Sequence, residues 1–101
     1  MKGKEMNKGI SIKLFVQKNV KGYYYVTTSQ PNICTDNDFA LILNIPVENY
    51  QKFLMLRFNG KYSNTSNEIY FEQQEDAIKT MNWIYAKIRT KSTLEKSYFY
   101  K

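Results

Sequence analysis

The stretch from Asp36 to Gly60, entered through Thr35, constrains this chain more than any other. Thr35 followed three residues later by Asp38 has the form of a helix start, because the hydroxyl can accept from the third amide while the carboxylate sits in the positive first turn. A helix from about Asp36 to Leu43 is expected. Asn44 tolerates the left-handed conformation that ends a helix, and Pro46 brings a φ suited to the first turn of another. In that second helix Val47, Tyr50, Phe53, Leu54 and Phe58 recur at steps of three and four, one apolar stripe, while Glu48, Asn49, Gln51, Lys52 and Met55 face elsewhere. Asn59-Gly60 stops it. Two short helices must therefore pack across a three-residue turn.

The spacing carries a resemblance. A small residue, Ala40, stands where the second helix would cross the first, and Asn44 follows four positions on. Apolar residues occupy Phe39, Leu43, Ile45, Tyr50 and Phe53. The stretch resembles the helix-turn-helix of DNA-binding proteins, with Asn44 where Gly is usual, a change eased by the readiness of Asn to visit the left-handed region. Beyond Gly60, Lys61-Tyr62-Ser63 and Glu68 to Glu72 read as short strands around the polar tip Asn64-Thr65-Ser66-Asn67. A hairpin in that place is what a winged helix-turn-helix has. The resemblance implies an α+β winged helix-turn-helix fold, with an N-terminal β-hairpin, two short helices, a β-wing and a long C-terminal helix completing a tri-helical core.

The rest of the chain fits one domain spanning residues 1–101. Residues 1–9 form a polar, basic segment without periodicity, either a flexible arm lying on phosphates or a frayed terminus. Ile10 to Val16 alternates, and Tyr23 to Thr28 is a second β-rich run; the Gly-containing link from Gln17 to Gly22 makes them a hairpin with Lys18 and Lys21 at its tip. Ser29 to Cys34 is a loop. Glu75 and Asp76 open the last helix, with Ala77, Ile78, Met81, Ile84, Tyr85 and Ile88 as its stripe and Trp83 beside it. Lys87, Arg89 and Lys91 fall where cations offset the helix dipole. Residues 92–101 form a tail ending in Tyr98-Phe99-Tyr100, which either packs back on the domain or meets a second protomer.

Composition narrows the chemistry. The chain has no His, hence no imidazole base and no His metal ligand, and its single cysteine, Cys34, permits neither an internal disulfide nor a thiolate zinc site. Gly3, Gly9, Gly22 and Gly60 are isolated, so no phosphate-cradling loop is formed. The Asp36-x-Asp38 and Glu75-Asp76 pairs are accounted for as helix starts. Neither enzyme activity nor any cofactor or metal is expected. No apolar run approaches membrane-spanning length, and Met1 to Lys4 leads into polar residues, so the expected location is the cytoplasm, away from membrane.

The formal net charge is +6, and its distribution says more than its size. Residues 1–35 hold six lysines against Glu5, residues 36–86 hold four cations against seven carboxylates, and residues 87–101 hold five cations against Glu95. Counterion release requires cations near phosphates, and the second helix offers chiefly Lys52. Docking on double-stranded DNA is therefore expected to use the wing, the N-terminal hairpin and the basic ends. The candidate contact residues are Lys18, Lys21, Gln51, Lys52, Arg57, Lys61, Asn64, Thr65, Asn67, Lys87 and Arg89, with the asparagines able to reach base edges and Lys61 placed for phosphate.

Size, the Lys-, Asn- and Tyr-rich composition and the nearly uncharged second helix are similar to those of the transfer-origin-binding accessory proteins (TcpK-like) of clostridial conjugative plasmids. That likeness implies a sequence-specific duplex-DNA-binding accessory factor of a plasmid or phage, acting at a transfer or replication origin, with a homodimer and other relaxosome proteins as partners. Two other readings are compatible with the residues. One is a single-stranded nucleic-acid binder that stacks bases on Tyr23 and Tyr25, which share a strand face. The other is a phage or plasmid inhibitor that binds a protein through its aromatic tail.

Overall fold

The structure, a computed structural model, describes residues 12–30 and 32–99, with side chains to residue 88. Among these residues the chain is α+β: a hairpin of β1 (Leu14–Lys18) and β2 (Tyr24–Thr28), helices α1 (Asp36–Leu43) and α2 (Val47–Phe58), a small sheet of β3 (Lys61–Tyr62) and β4 (Ile69–Tyr70), and the long helix α3 (Gln74–Phe99). Both sheets are antiparallel and two-stranded.

β1 and β2 pair from Leu14 with Thr28 to Lys18 with Tyr24. The register is set by the turn. Asn19 donates its N–H to the Tyr23 carbonyl at 2.8 Å, its Oδ1 accepts from the Lys21 and Tyr23 amides, and Gly22 supplies a φ of +90°. The strand consequently lies later than the alternation from Ile10 to Val16 suggests. It begins at Leu14, whose N–H donates to the Tyr85 hydroxyl of α3 at 2.7 Å, leaving Ile12 to pack on the core outside the ladder. Ile10 lies outside the described residues, as do residues 1–9 of the expected arm.

The helix pair forms as the sequence predicts. Thr35 is the N-cap of α1, with its hydroxyl accepting from the Asp38 N–H and the Asp38 carboxylate accepting from the Thr35 N–H, a complete capping box. Asn44 is left-handed at φ 61°, and its N–H and that of Ile45 return to carbonyls in the last turn of α1. Pro46 differs in detail: it keeps φ −62° but extends to ψ 143°, so it precedes α2 as its cap. Asn59 at φ 59° closes α2. Gly60 then passes so close that a Cβ there would stand 2.7 Å from Ile69 Cγ2 and 3.2 Å from the Leu54 carbonyl oxygen.

The core gathers Leu14, Phe39, Ala40, Tyr50, Leu54, Ile69, Phe71, Ala77, Ile84 and Ile88, so every element except β2 and β3 contributes a buried apolar residue from within it or beside it. Trp83 of α3 stacks on Phe53 with centroids 4.6 Å apart and borders Tyr50 and Phe58, tying α2 to α3. Two expectations for α3 are corrected. Ile78 is exposed and Thr80 takes the buried place, its hydroxyl returning to the Asp76 carbonyl at 3.0 Å. The buried stripe is Ala77, Thr80, Ile84 and Ile88, and Ile78 lies a full residue step, about 100°, from Ala77. The segment expected as a tail from Ser92 is helical through Phe99, while Tyr100 and Lys101 lie outside the described residues.

The two hairpins meet, which the sequence does not disclose. Tyr24 and Phe71 exchange both backbone hydrogen bonds at 2.8 Å, joining the free edge of β2 to the residue after β4.

Candidate nucleic-acid interface

The segment after α2 is held by a polar network centred on the buried carboxylate of Asp36. Ile69 donates its N–H to Asp36 Oδ2 at 2.8 Å, and Glu68 Oε1 accepts the Asp36 N–H at 2.8 Å. Gln51 Nε2 bridges Asp36 Oδ2 at 2.8 Å and the Asn67 carbonyl at 3.0 Å. The tip closes on itself through Asn67 N–H to the Ser63 carbonyl, Ser63 N–H to the Glu68 carbonyl, and the Tyr62 hydroxyl to Asn67 Oδ1, with Asn67 left-handed at φ 62°.

The electrostatics follow from burial. Asp36 is raised above the usual carboxylate range by desolvation, against which its bonds from Gln51 and Ile69 work. Glu68 is pushed up to about 6, first by burial and then, opposed by its bond from Asp36, by the negative charges of Asp36 and Asp38. Asp38 moves the other way, held down by the Cys34 and Thr35 amides. The pair Asp36-x-Asp38 is thus divided: Asp38 caps α1 as expected, whereas Asp36 reaches across to β4.

Between the tips of the two hairpins lies an open cleft of about 820 Å³. Exposed Lys21 from the first tip and Asn64 and Thr65 from the second stand at its mouth. Tyr23, Tyr25, Tyr62 and Tyr70 line its sides, with Tyr23 and Tyr70 packed at 4.7 Å between centroids. Buried Asp36 and Tyr50 line it too, with half-buried Glu68 beside them. Sequence reasoning missed this cleft because its walls come from β2 and β4, brought together by the Tyr24–Phe71 bridge.

The candidate contact residues divide accordingly. Lys21, Asn64 and Thr65 share the cleft, and Lys18 rests its ammonium 5.7 Å from the Tyr24 ring centroid on the same hairpin. Gln51 and Asn67 are instead committed to one another and to Asp36 and Tyr62. Arg57 and Lys87 form a second group, lying 5.7 Å from Phe53 and 6.0 Å from Trp83, on the two rings of one stack. Lys52 and Lys61 are exposed on α2 and β3. Arg89 belongs to α3, and its side chain lies outside the described residues.

Among the described residues no group of His, Cys, Asp or Glu is arranged to hold a metal ion, and no helix is long and apolar enough to cross a membrane. Comparison with protein-family models, curated proteins and solved structures finds no match.

Proposed function

We propose that the protein is a winged helix-turn-helix DNA-binding protein that docks on duplex DNA through its two hairpin tips more than through α2. The observation that carries this reading is that the tip bearing Lys21 and the tip bearing Asn64 and Thr65 flank one cleft and so lie on the same side of the molecule. A cation on one finger suits a phosphate, and the amide and hydroxyl groups on the other suit base edges. The order α1, turn, α2, β3, β4, with Asn44 left-handed in the turn, supports this reading. α2 is the helix that would face the major groove, yet its exposed residues include a single lysine, Lys52, and Arg57 at its end. The basic ends would supply the remaining phosphate contacts.

The place of such a protein in a cell follows from the resemblance to transfer-origin accessory factors: a non-enzymatic plasmid or phage protein of the cytoplasm, dimeric on paired half-sites and acting beside other relaxosome proteins. Gel shifts on duplex and single-stranded DNA across a salt series test the reading. Duplex preference, with affinity falling steeply as salt rises, is expected. Better binding to single strands, or binding to neither, would overturn it.

A further inference from the structure

We propose that the outer edge of β1 is a docking site for an extended acidic segment of a partner protein, which adds to the hairpin as a further strand. The inference goes beyond duplex docking and does not rest on it.

The register fixes which backbone groups point outward. In an antiparallel pair, residues that exchange both hydrogen bonds alternate with residues whose N–H and C=O face away from the partner strand. Asn19 donates its N–H to the Tyr23 carbonyl, which makes these two a bonded pair and, by alternation, Gln17 with Tyr25 and Phe15 with Thr27 as well. Leu14, Val16 and Lys18 therefore turn their backbone groups outward, as Tyr24 does on the far edge, where it meets Phe71. The Leu14 N–H is taken by the Tyr85 hydroxyl. Val16 and Lys18 have no partner for theirs among the described residues, because β1 pairs with β2 alone.

Donors and acceptors in alternation select a strand as occupant. A DNA backbone presents acceptors to such an edge and leaves the Val16 and Lys18 carbonyls unmet. Charge selects the kind of strand. Lys13 and Lys18 flank β1, Lys21 follows in the turn, and residues 6–35 contain no acid. A second copy would bring the same lysines against these, whereas carboxylates opposite them are favourable. On α3, Glu75 is offset by Lys79 one turn later.

The helix beside the edge is apolar on the matching side. Tyr85 reaches the edge at Leu14, and Met81 and Ile78 precede it at steps of four and three, on the same side of α3. Ile78 is 38% exposed there, an apolar side chain left open by the fold. A strand alternating apolar and acidic residues would set its apolar side chains with Val16, on the face that packs toward the core, and its carboxylates on the opposite face with Lys13.

Titration of the full chain with a short capped peptide alternating valine and glutamate tests the assignment. Binding is expected, with slower hydrogen exchange at the Val16 and Lys18 amides and none of that slowing at Phe15 and Gln17, which already face β2. The same peptide with lysine for glutamate should bind about tenfold more weakly. N-methylation of every amide in the glutamate peptide should abolish binding, and Ile78→Asp should weaken it with the circular dichroism spectrum unchanged. No binding, equal affinity for the lysine peptide, binding that survives N-methylation or is untouched by Ile78→Asp, or unchanged exchange at Val16 and Lys18 would each overturn the proposal. A concentration-dependent dimer that protects those two amides without peptide would overturn it in favour of a second copy.

Discussion

Asp36 and Glu68 hold each other across 32 residues of sequence: Glu68 accepts the Asp36 backbone N–H, and the next backbone N–H after Glu68, that of Ile69, donates to the Asp36 carboxylate. Two acids are thereby fixed side by side at the root of the second hairpin, each bonded to main chain and each raised by burial. The arrangement fixes where the tip stands relative to the helix pair, and it leaves the protein with an electrostatic cost when both are ionised.

That cost sets a pH dependence. Glu68 is raised from 4.5 to about 6 in the folded chain, so folding favours its protonated form. Below the unfolded value the group is neutral in both states and contributes no penalty; as pH rises through the window from 4.5 to about 6 stability falls, and above it the penalty is constant. Asp36 acts in the same direction. Thermal unfolding should therefore show a higher midpoint near pH 5 than near neutrality, and Glu68→Gln should raise the midpoint at neutral pH and flatten that slope. A lowered midpoint in the variant would contradict the account.

Gln51 is expected to act on the tip rather than on DNA directly. Gln51→Ala removes the bonds to Asp36 and Asn67 and leaves a buried carboxylate with one partner fewer, a loss of about 1–3 kcal/mol. Hydrogen exchange of the amides from Ser63 to Ile69 should accelerate more than that of α3. Uniform acceleration, or none, would show that the bridge does not hold the tip.

Gly60 should resist substitution although its φ is not left-handed. An added methyl group would collide with Ile69 Cγ2, on a β-branched side chain with few places to go, and crowd the Leu54 carbonyl. Gly60→Ala is expected to cost about 1–3 kcal/mol in urea unfolding. A neutral result would mean that α2 and β4 separate more easily than their close approach implies.

For DNA, neutralising Lys18, Lys21 and Lys61 together should weaken duplex binding more than Asn49→Ala on the exposed face of α2. For every phosphate left without its lysine, the slope of log affinity on log salt should also become shallower by about one unit. The comparison uses Asn49 because Gln51→Ala would disturb the tip. A larger effect from Asn49→Ala would show that α2 reads the groove in the usual way.

The elements that local chemistry specifies are legible in the order of residues alone. The capping box at Thr35, the left-handed Asn44 and the apolar steps of α2 each depend on residues within a few positions of one another, so composition and spacing suffice for them. The same holds for the second hairpin, whose short polar tip leaves little freedom of register. β1 shows where that reasoning ends. Its alternation marks a strand, but its start is set by the Tyr85 hydroxyl 71 positions away. Ile78 shows it again, since periodicity admits it to the stripe and only the packed structure leaves it exposed while Thr80 is buried.

The candidate site lay further from reach. Lys21, Asn64 and Thr65 were identifiable as exposed polar tips, but nothing local states that they border one cleft. Asp36 reads as a helix-start acid, and its bond to Ile69 exists because two segments 33 positions apart converge. The chain's own order dictates caps, turns and amphipathic faces because these are settled within a turn or two of backbone. The pairing of Tyr24 with Phe71, the joined acids and the tyrosine-lined cleft arise from long-range packing, where burial raises the cost of any unpaired group and so selects partners that no local spacing specifies.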